Sequence, residues 1–144
     1  MIQRIQSIFF FLSAACFGGE FATSFAESSQ SISGIFEDQL YNLSDHVGLQ
    51  IIAGIGMILS LLSIFMYKNR MNQIKLGYII TTLAILLPIA AVLIYINQSQ
   101  NLDQAVISDR IGLYLPIGMI ICSTLAVRFI KKDEKLVESM DRLR

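Results

Sequence analysis

Glu20 is the residue with the clearest potential for chemistry, because it is an acidic side chain inside the long apolar run of residues 5–26. Helical spacing aligns it with Ser13, Cys16 and Ser24 in one polar stripe. A carboxylate is costly in hydrocarbon, so such a residue faces a helix bundle or water, where it can bind a proton or an ion. Two other roles are open: Glu20 reaches the membrane surface six residues from the end of the run, or it makes a structural hydrogen bond.

The remaining polar residues form no recognisable catalytic or metal-binding set. Cys16 and Cys122 each fall near the middle of an apolar run, and His46 is the single histidine. Neither a zinc site nor a disulfide between outer loops is therefore predicted. No Ser/His/Asp set or phosphate-binding glycine loop is present in the sequence. We predict a protein that is not an enzyme and uses no cofactor and no metal.

Four apolar runs account for most of the chain, at residues 5–26, 47–67, 76–96 and 111–130. Each has 20 to 22 residues, and a helix of about 20 residues crosses the ~30 Å hydrocarbon core of a bilayer. The composition agrees, with 54% hydrophobic residues, 15% charged residues and a mean hydropathy of +0.61. The sequence predicts a single-domain all-α membrane protein over residues 1–144, an antiparallel bundle of four transmembrane helices.

The basic residues are distributed unevenly about these four runs. Ten of the 11 lie on one side: Arg4, Lys68, Arg70, Lys75, Arg128, Lys131, Lys132, Lys135, Arg142 and Arg144. Only Arg110 lies on the other side. Cytoplasmic connections carry the excess of Lys and Arg, so both termini are predicted to be cytoplasmic, with residues 27–46 and 97–110 outside. Because topology explains these residues, the lipid bilayer is the predicted partner and nucleic acid is not.

The first run has an alternative interpretation as a secretory signal peptide. Arg4 precedes the apolar stretch, and Ser24-Phe25-Ala26 has the small-x-small pattern of a cleavage site. The sequence before Cys16 also loosely matches a lipoprotein box. We expect the first run to be retained as a helix.

Small residues recur at every fourth position of the first run, at Ala14, Gly18 and Ala22. Such a ridge allows another helix backbone to approach closely. The ridge either packs within the bundle or binds a partner subunit, and these three residues are candidates for the second role.

Two prolines fall inside apolar runs, Pro88 in the third and Pro116 in the fourth. Proline removes a backbone hydrogen bond and kinks a helix, so both spans are predicted to be interrupted. Transporters use such interruptions, but membrane helices of no transport function also contain them.

The cytoplasmic tail, residues 131–144, is predicted to form a short amphipathic C-terminal helix. Leu136, Met140 and Leu143 fall on one face at helical spacing. This face either rests on the lipid surface or binds a partner. In the outer loop of residues 27–45, the apolar residues predict a short interfacial helix or a hairpin; these are Ile35, Phe36, Leu40, Tyr41 and Leu43.

The sequences at both ends of the chain resemble those of a protein family. The start MIQRIQ and the end KKDEKLVESMDRLR resemble a domain family of unknown function, made of small four-span inner-membrane proteins from Bacteroidota. The resemblance covers the whole length and implies a helical bundle in the bacterial inner membrane with cytoplasmic termini. It implies no activity, substrate or catalytic residue.

These observations favour a non-enzymatic accessory or scaffold subunit of a larger inner-membrane complex, bound to a membrane-protein partner. The alternative is a small oligomeric transporter or channel that uses Glu20 and the proline-interrupted helices.

Overall fold

The computed structural model describes residues 3–29, 38–67, 69–98 and 107–141, and it is mostly helical, as predicted. Helix α1 covers Gln3–Gly19, α2 Val47–Phe65, α3 Arg70–Gln98 and α4 Leu115–Asp141. Three short strands are β1 (Ser24–Ser28), β2 (Leu40–Asn42) and β3 (Ile107–Asp109). Two 3-10 turns lie at Leu43–Asp45 and Ile111–Leu113. We refer to α1–α4 together as the helical body.

Helix α1 is shorter than the apolar run that predicts it. It ends at Gly19, and the last residues of the predicted span at 5–26 instead form part of β1. Two consecutive glycines, Gly18 and Gly19, weaken the helix at this point. The chain then closes with tight turns, in which the amides of Phe21 and Ala22 donate to the carbonyls of Gly18 and Gly19. The prediction that the first span continues to residue 26 is wrong.

The other three helices are long and apolar enough to cross a membrane, over Val47–Phe65, Arg70–Asn97 and Ile111–Val137. Helix α1 is a shorter apolar helix. Large aliphatic side chains are exposed along the outer faces of all four helices, such as Ile8, Ile58 and Leu93. Soluble proteins rarely expose apolar surface on this scale. The structure thus indicates a membrane protein.

Successive helices of the body pack on each other, and α1 also packs on α4. The core between them contains the fully buried Phe10, Phe17, Ile80, Leu87, Met119 and Ile130. Glycines permit the closest approaches. A Cβ atom at Gly56 of α2 would lie 2.5 Å from the Phe17 ring of α1, and one at Gly77 of α3 would lie 2.3 Å from Val127 of α4.

One end of the body, called here the tail end, contains the start of α1, the connection from α2 to α3 and the end of α4. Gln73 donates from Nε2 to the Ser63 carbonyl at 2.9 Å, which joins α3 to α2. Arg70 and Asp133 form an ion pair at 3.4 Å between α3 and α4. Helix α4 continues without a break to Asp141, so the predicted C-terminal helix is its continuation.

The three strands form a small antiparallel sheet at the opposite end, called here the sheet end. The strand order is β2-β1-β3, and Ala26 of β1 lies opposite Tyr41 on one side and Asp109 on the other. Of the two predictions for the first outer loop, the hairpin therefore agrees with the pairing of β1 and β2. Ile35 and Phe36 of that loop lie outside the described residues. The all-α prediction does not include the pairing of β1 with β3.

Candidate functional site

The buried face of α1 combines aromatic and polar side chains at alternating steps of four and three residues. Gln6, Phe10, Ser13 and Phe17 lie on it, Glu20 continues the same spacing directly after the helix, and none of the five is more than 4% exposed. This spacing places residues on one side of a helix, as at the contact positions of a coiled coil. The polar members are therefore held inside the helical body by the same packing that buries the two phenylalanines.

Glu20 is the first residue after α1, where its amide donates to the Cys16 carbonyl at 3.3 Å. The neighbouring Phe21 and Ala22 are exposed, but the Glu20 side chain is 0% exposed. Neither carboxyl oxygen has a hydrogen-bond partner among the described residues. The Glu20 side chain therefore does not reach the protein surface, and the described part of the chain supplies no hydrogen bond for it. A position of Glu20 at the membrane interface stays a prediction.

Two further buried polar groups on α1 share this property. The Nε2 atom of Gln6 and the Oγ atom of Ser13 also lack hydrogen-bond partners within the described ranges. Gln6, Ser13 and Glu20 are spaced by seven residues, and together we call them the polar file. A buried polar atom without a partner costs about 1–3 kcal/mol, so native proteins retain few of them without a reason.

The polar stripe predicted from the sequence is only partly present. Ser13 and Glu20 are fully buried, and Cys16 is partly buried near both Glu20 and Cys122. Ser24 belongs instead to β1, because α1 ends before it. Gln6 was not part of the predicted stripe, although its seven-residue spacing from Ser13 was readable in the sequence. Among the described residues, no three His, Cys, Asp or Glu side chains lie together in a way that suits a metal ion.

A separate apolar cavity of about 340 Å³ lies at the sheet end, and Glu20 does not line it. Its walls include Phe25, Tyr41, Pro88, Ala91, Asp109 and Pro116. The Tyr41 hydroxyl donates to the Ala91 carbonyl at 2.9 Å, and burial raises the pKa of Tyr41 to about 12. Tyr41 is therefore a neutral hydrogen-bond donor that fixes β2 on α3.

The two prolines occupy different positions in their helices. Pro88 lies inside α3, as predicted. Pro116 is the second residue of α4, where a helix has no hydrogen bond for a proline to remove. The prediction that proline interrupts the fourth span is therefore wrong.

The candidate partner-binding residues are placed in three environments. Ala14 is buried within the helical body, and a Cβ at Gly18 would lie 3.4 Å from the Met57 sulfur of α2. Ala22 is exposed beyond the end of α1, and Leu136 is 47% exposed on α4. The Met140 side chain and Leu143 lie outside the described part. A role for these residues in partner binding stays a prediction.

A family model matches residues 2–143, and its description is domain of unknown function (DUF4293). This match confirms the resemblance to a family of unknown function. No curated protein and no solved structure matches the chain.

Proposed function

Because the chain belongs to the DUF4293 family, whose description names no activity, we propose a function from its physical features. We propose that it is a non-enzymatic accessory or scaffold subunit of a larger inner-membrane protein complex. In this proposal α1–α4 form a transmembrane bundle, and α4 extends from the bilayer to bind the partner.

The surface of the α4 extension carries this proposal. Beyond Lys131 and Lys132, Leu136 is 47% exposed and Val137 is 38% exposed. In this proposal the hydrocarbon core covers the apolar run of residues 111–130, and Leu136 and Val137 lie beyond it. Exposed apolar side chains among charged neighbours are typical of a protein-binding surface. The alternative occupant of this face is the anionic lipid surface.

The charge distribution supports an orientation with the tail end in the cytoplasm. The exposed basic residues Lys75, Arg128, Lys131, Lys132 and Lys135 all belong to that end. At the sheet end Arg110 donates from Nε to Glu27 at 2.8 Å, so its charge is compensated locally. An excess of basic residues on the cytoplasmic side favours this topology.

Reporter fusions test the orientation. We expect a fusion after Arg144 to report the cytoplasm and one inserted within residues 30–37 to report the periplasm. A periplasmic signal from the C-terminal fusion would contradict both the orientation and the proposed partner surface.

Purification in mild detergent tests the partner surface. We expect the native chain to co-purify with a different membrane protein in a fixed ratio. The double variant Leu136→Ser with Met140→Ser should lose most of this partner but still insert, because insertion depends on the upstream apolar helices.

The matched control is Leu136→Met with Met140→Leu, which preserves apolar area at both positions and should retain the partner. Equal recovery from the serine variant and the control would refute binding through α4. Purification of the chain as a homo-oligomer alone would instead favour the alternative function, a small oligomeric transporter or channel.

A further inference from the structure

The unpartnered polar atoms of the polar file lie in one line along α1 and the residue that directly follows it. Gln6 Nε2, Ser13 Oγ and both carboxyl oxygens of Glu20 are the buried side-chain nitrogen and oxygen atoms that lack hydrogen bonds in the described part of the chain. At 1.5 Å per residue, the seven-residue spacing separates neighbours by about 10.5 Å along α1. Each step turns by only about 20° around the helix, so the three groups follow the same side.

Elsewhere the helical body pairs its buried polar groups. Ser60 donates to the Gly56 carbonyl at 2.8 Å and Ser63 to the Leu59 carbonyl at 2.9 Å. Thr81 and Ser123 join α3 to α4 at 3.0 Å. A buried serine in a helix commonly donates to the carbonyl four residues earlier, and Ser13 does not. The polar file is therefore different from the rest of the interior, where packing satisfies each group locally.

The apolar stretches of the described helices α2 and α4 supply no cation that could compensate a charge on Glu20. Neither residues 47–65 of α2 nor residues 115–127 of α4 contain Asp, Glu, Lys, Arg or His. The thiol of Cys16 is the titratable group that interacts with Glu20, and Cys16 in turn lies near Cys122 of α4. His46 precedes α2, and Arg110 at the sheet end is paired with Glu27. Residues 76–98 of α3 contain no charged residue.

A charged carboxylate is thus poorly accommodated at this position, whereas a neutral carboxylic acid is tolerated much better. The acid needs a route for its proton, because its side chain is fully buried. Toward the tail end, Ser13 and Gln6 offer the next groups that can donate or accept a hydrogen bond.

We propose that Glu20 is a proton-binding site inside the helical body, and that Ser13 and Gln6, bridged by water, connect it to the tail end. In the resting state Glu20 is a neutral acid that holds one proton. On release, the O–H bond breaks, the electron pair stays on the carboxylate, and the proton passes to water in the file. Rebinding reverses this step. Water is required because the three side chains are too far apart for direct hydrogen bonds.

Labelling of the full-length protein with dicyclohexylcarbodiimide tests the proton site. This apolar reagent adds as a whole molecule to a protonated carboxyl group, and mass spectrometry locates the adduct. We expect Glu20 to be labelled at neutral pH and Glu27, exposed and paired with Arg110, to remain unlabelled. The yield at Glu20 should fall about tenfold for each pH unit once the acid has begun to ionise. Glu20→Gln should fold normally and lose the adduct.

Failure of Glu20 to react at neutral pH would overturn the proposal, as would a yield that does not change with alkaline pH. These two results come from the native chain, so they do not depend on whether a variant folds.

Exchange in heavy water tests the route. The infrared band of the Glu20 carboxylic acid, identified by its loss in Glu20→Gln, shifts when deuterium replaces the acid proton. We expect Ser13→Val to slow this shift several-fold. Ser123→Val, a buried serine of α4 outside the polar file, is the matched control and should exchange at the native rate. Equal rates in the two variants would overturn the route through Ser13.

Discussion

Gly112→Ala is expected to destabilise the protein by about 3 kcal/mol, at the upper end of the cost of overpacking. The added methyl group would lie 2.6 Å from the Ser24 carbonyl oxygen and 2.8 Å from its carbonyl carbon. These are backbone atoms of β1, which is held by partner strands on both sides. A flexible side chain could move away, but the backbone of Ser24 is paired with Asn42 of β2 and shifts less easily. Thermal unfolding in detergent measures the effect.

Gly48→Ala is the matched control for this substitution. Gly48 lies near the start of α2, also at the sheet end, and a Cβ there meets nothing within 4 Å. Alanine is favoured over glycine in a helix, so we expect this variant to be as stable as the native chain or slightly more stable. Equal stability of the two variants would mean that the Ile111–Leu113 turn does not pack on β1.

The second large effect is expected at the contact of α1 with α2. Phe17→Ala should cost about 3–4 kcal/mol, because it leaves a cavity where a fully buried ring fills the core. Gly56→Ala should cost about 2 kcal/mol, since its methyl group would lie 2.5 Å from that ring. In the Phe17→Ala background, the same Gly56→Ala change should cost nothing further.

The double-mutant cycle should therefore give a coupling of about 2 kcal/mol between the two sites. Gly54→Ala is the control in α2, because its Cβ meets no atom within 4 Å. It should show no coupling with Phe17→Ala. Additive effects of Phe17→Ala and Gly56→Ala would contradict the packing of α1 on α2.

The sequence predicts the apolar helices well because hydropathy measures directly how favourable it is for a segment to enter a bilayer. The sequence predicts the ends of these helices less well, because a helix can continue past its apolar run or end within it. Helix α3 begins at Arg70, six residues before its apolar run, and α4 continues to Asp141 among charged residues. Conversely, α1 ends within its apolar run, since Gly18 and Gly19 act on the backbone and leave the hydropathy unchanged.

The sheet and the cavity depend on pairings that a local pattern does not contain. Ala26 pairs with Asp109, and no periodicity links residues so far apart in the chain. The candidate site could be predicted in part: Glu20 and Ser13 stand out by polarity inside the first apolar run, whereas Gln6 looks like an ordinary polar residue at the start of that run. Its burial at 4% depends on packing against the other helices.

The position of β1 at the centre of the sheet has a consequence for the order in which the chain is built. During synthesis β1 emerges first, yet one of its two edges stays open until residues 107–109 follow, and these come after α3. The last strand thus arrives only when three of the four helices have been made. Closure of the sheet is therefore possible only after α3 has been made, and it joins the segments that precede α2 and α4. An intermediate that stops after α3 therefore has one edge of β1 without its partner strand β3.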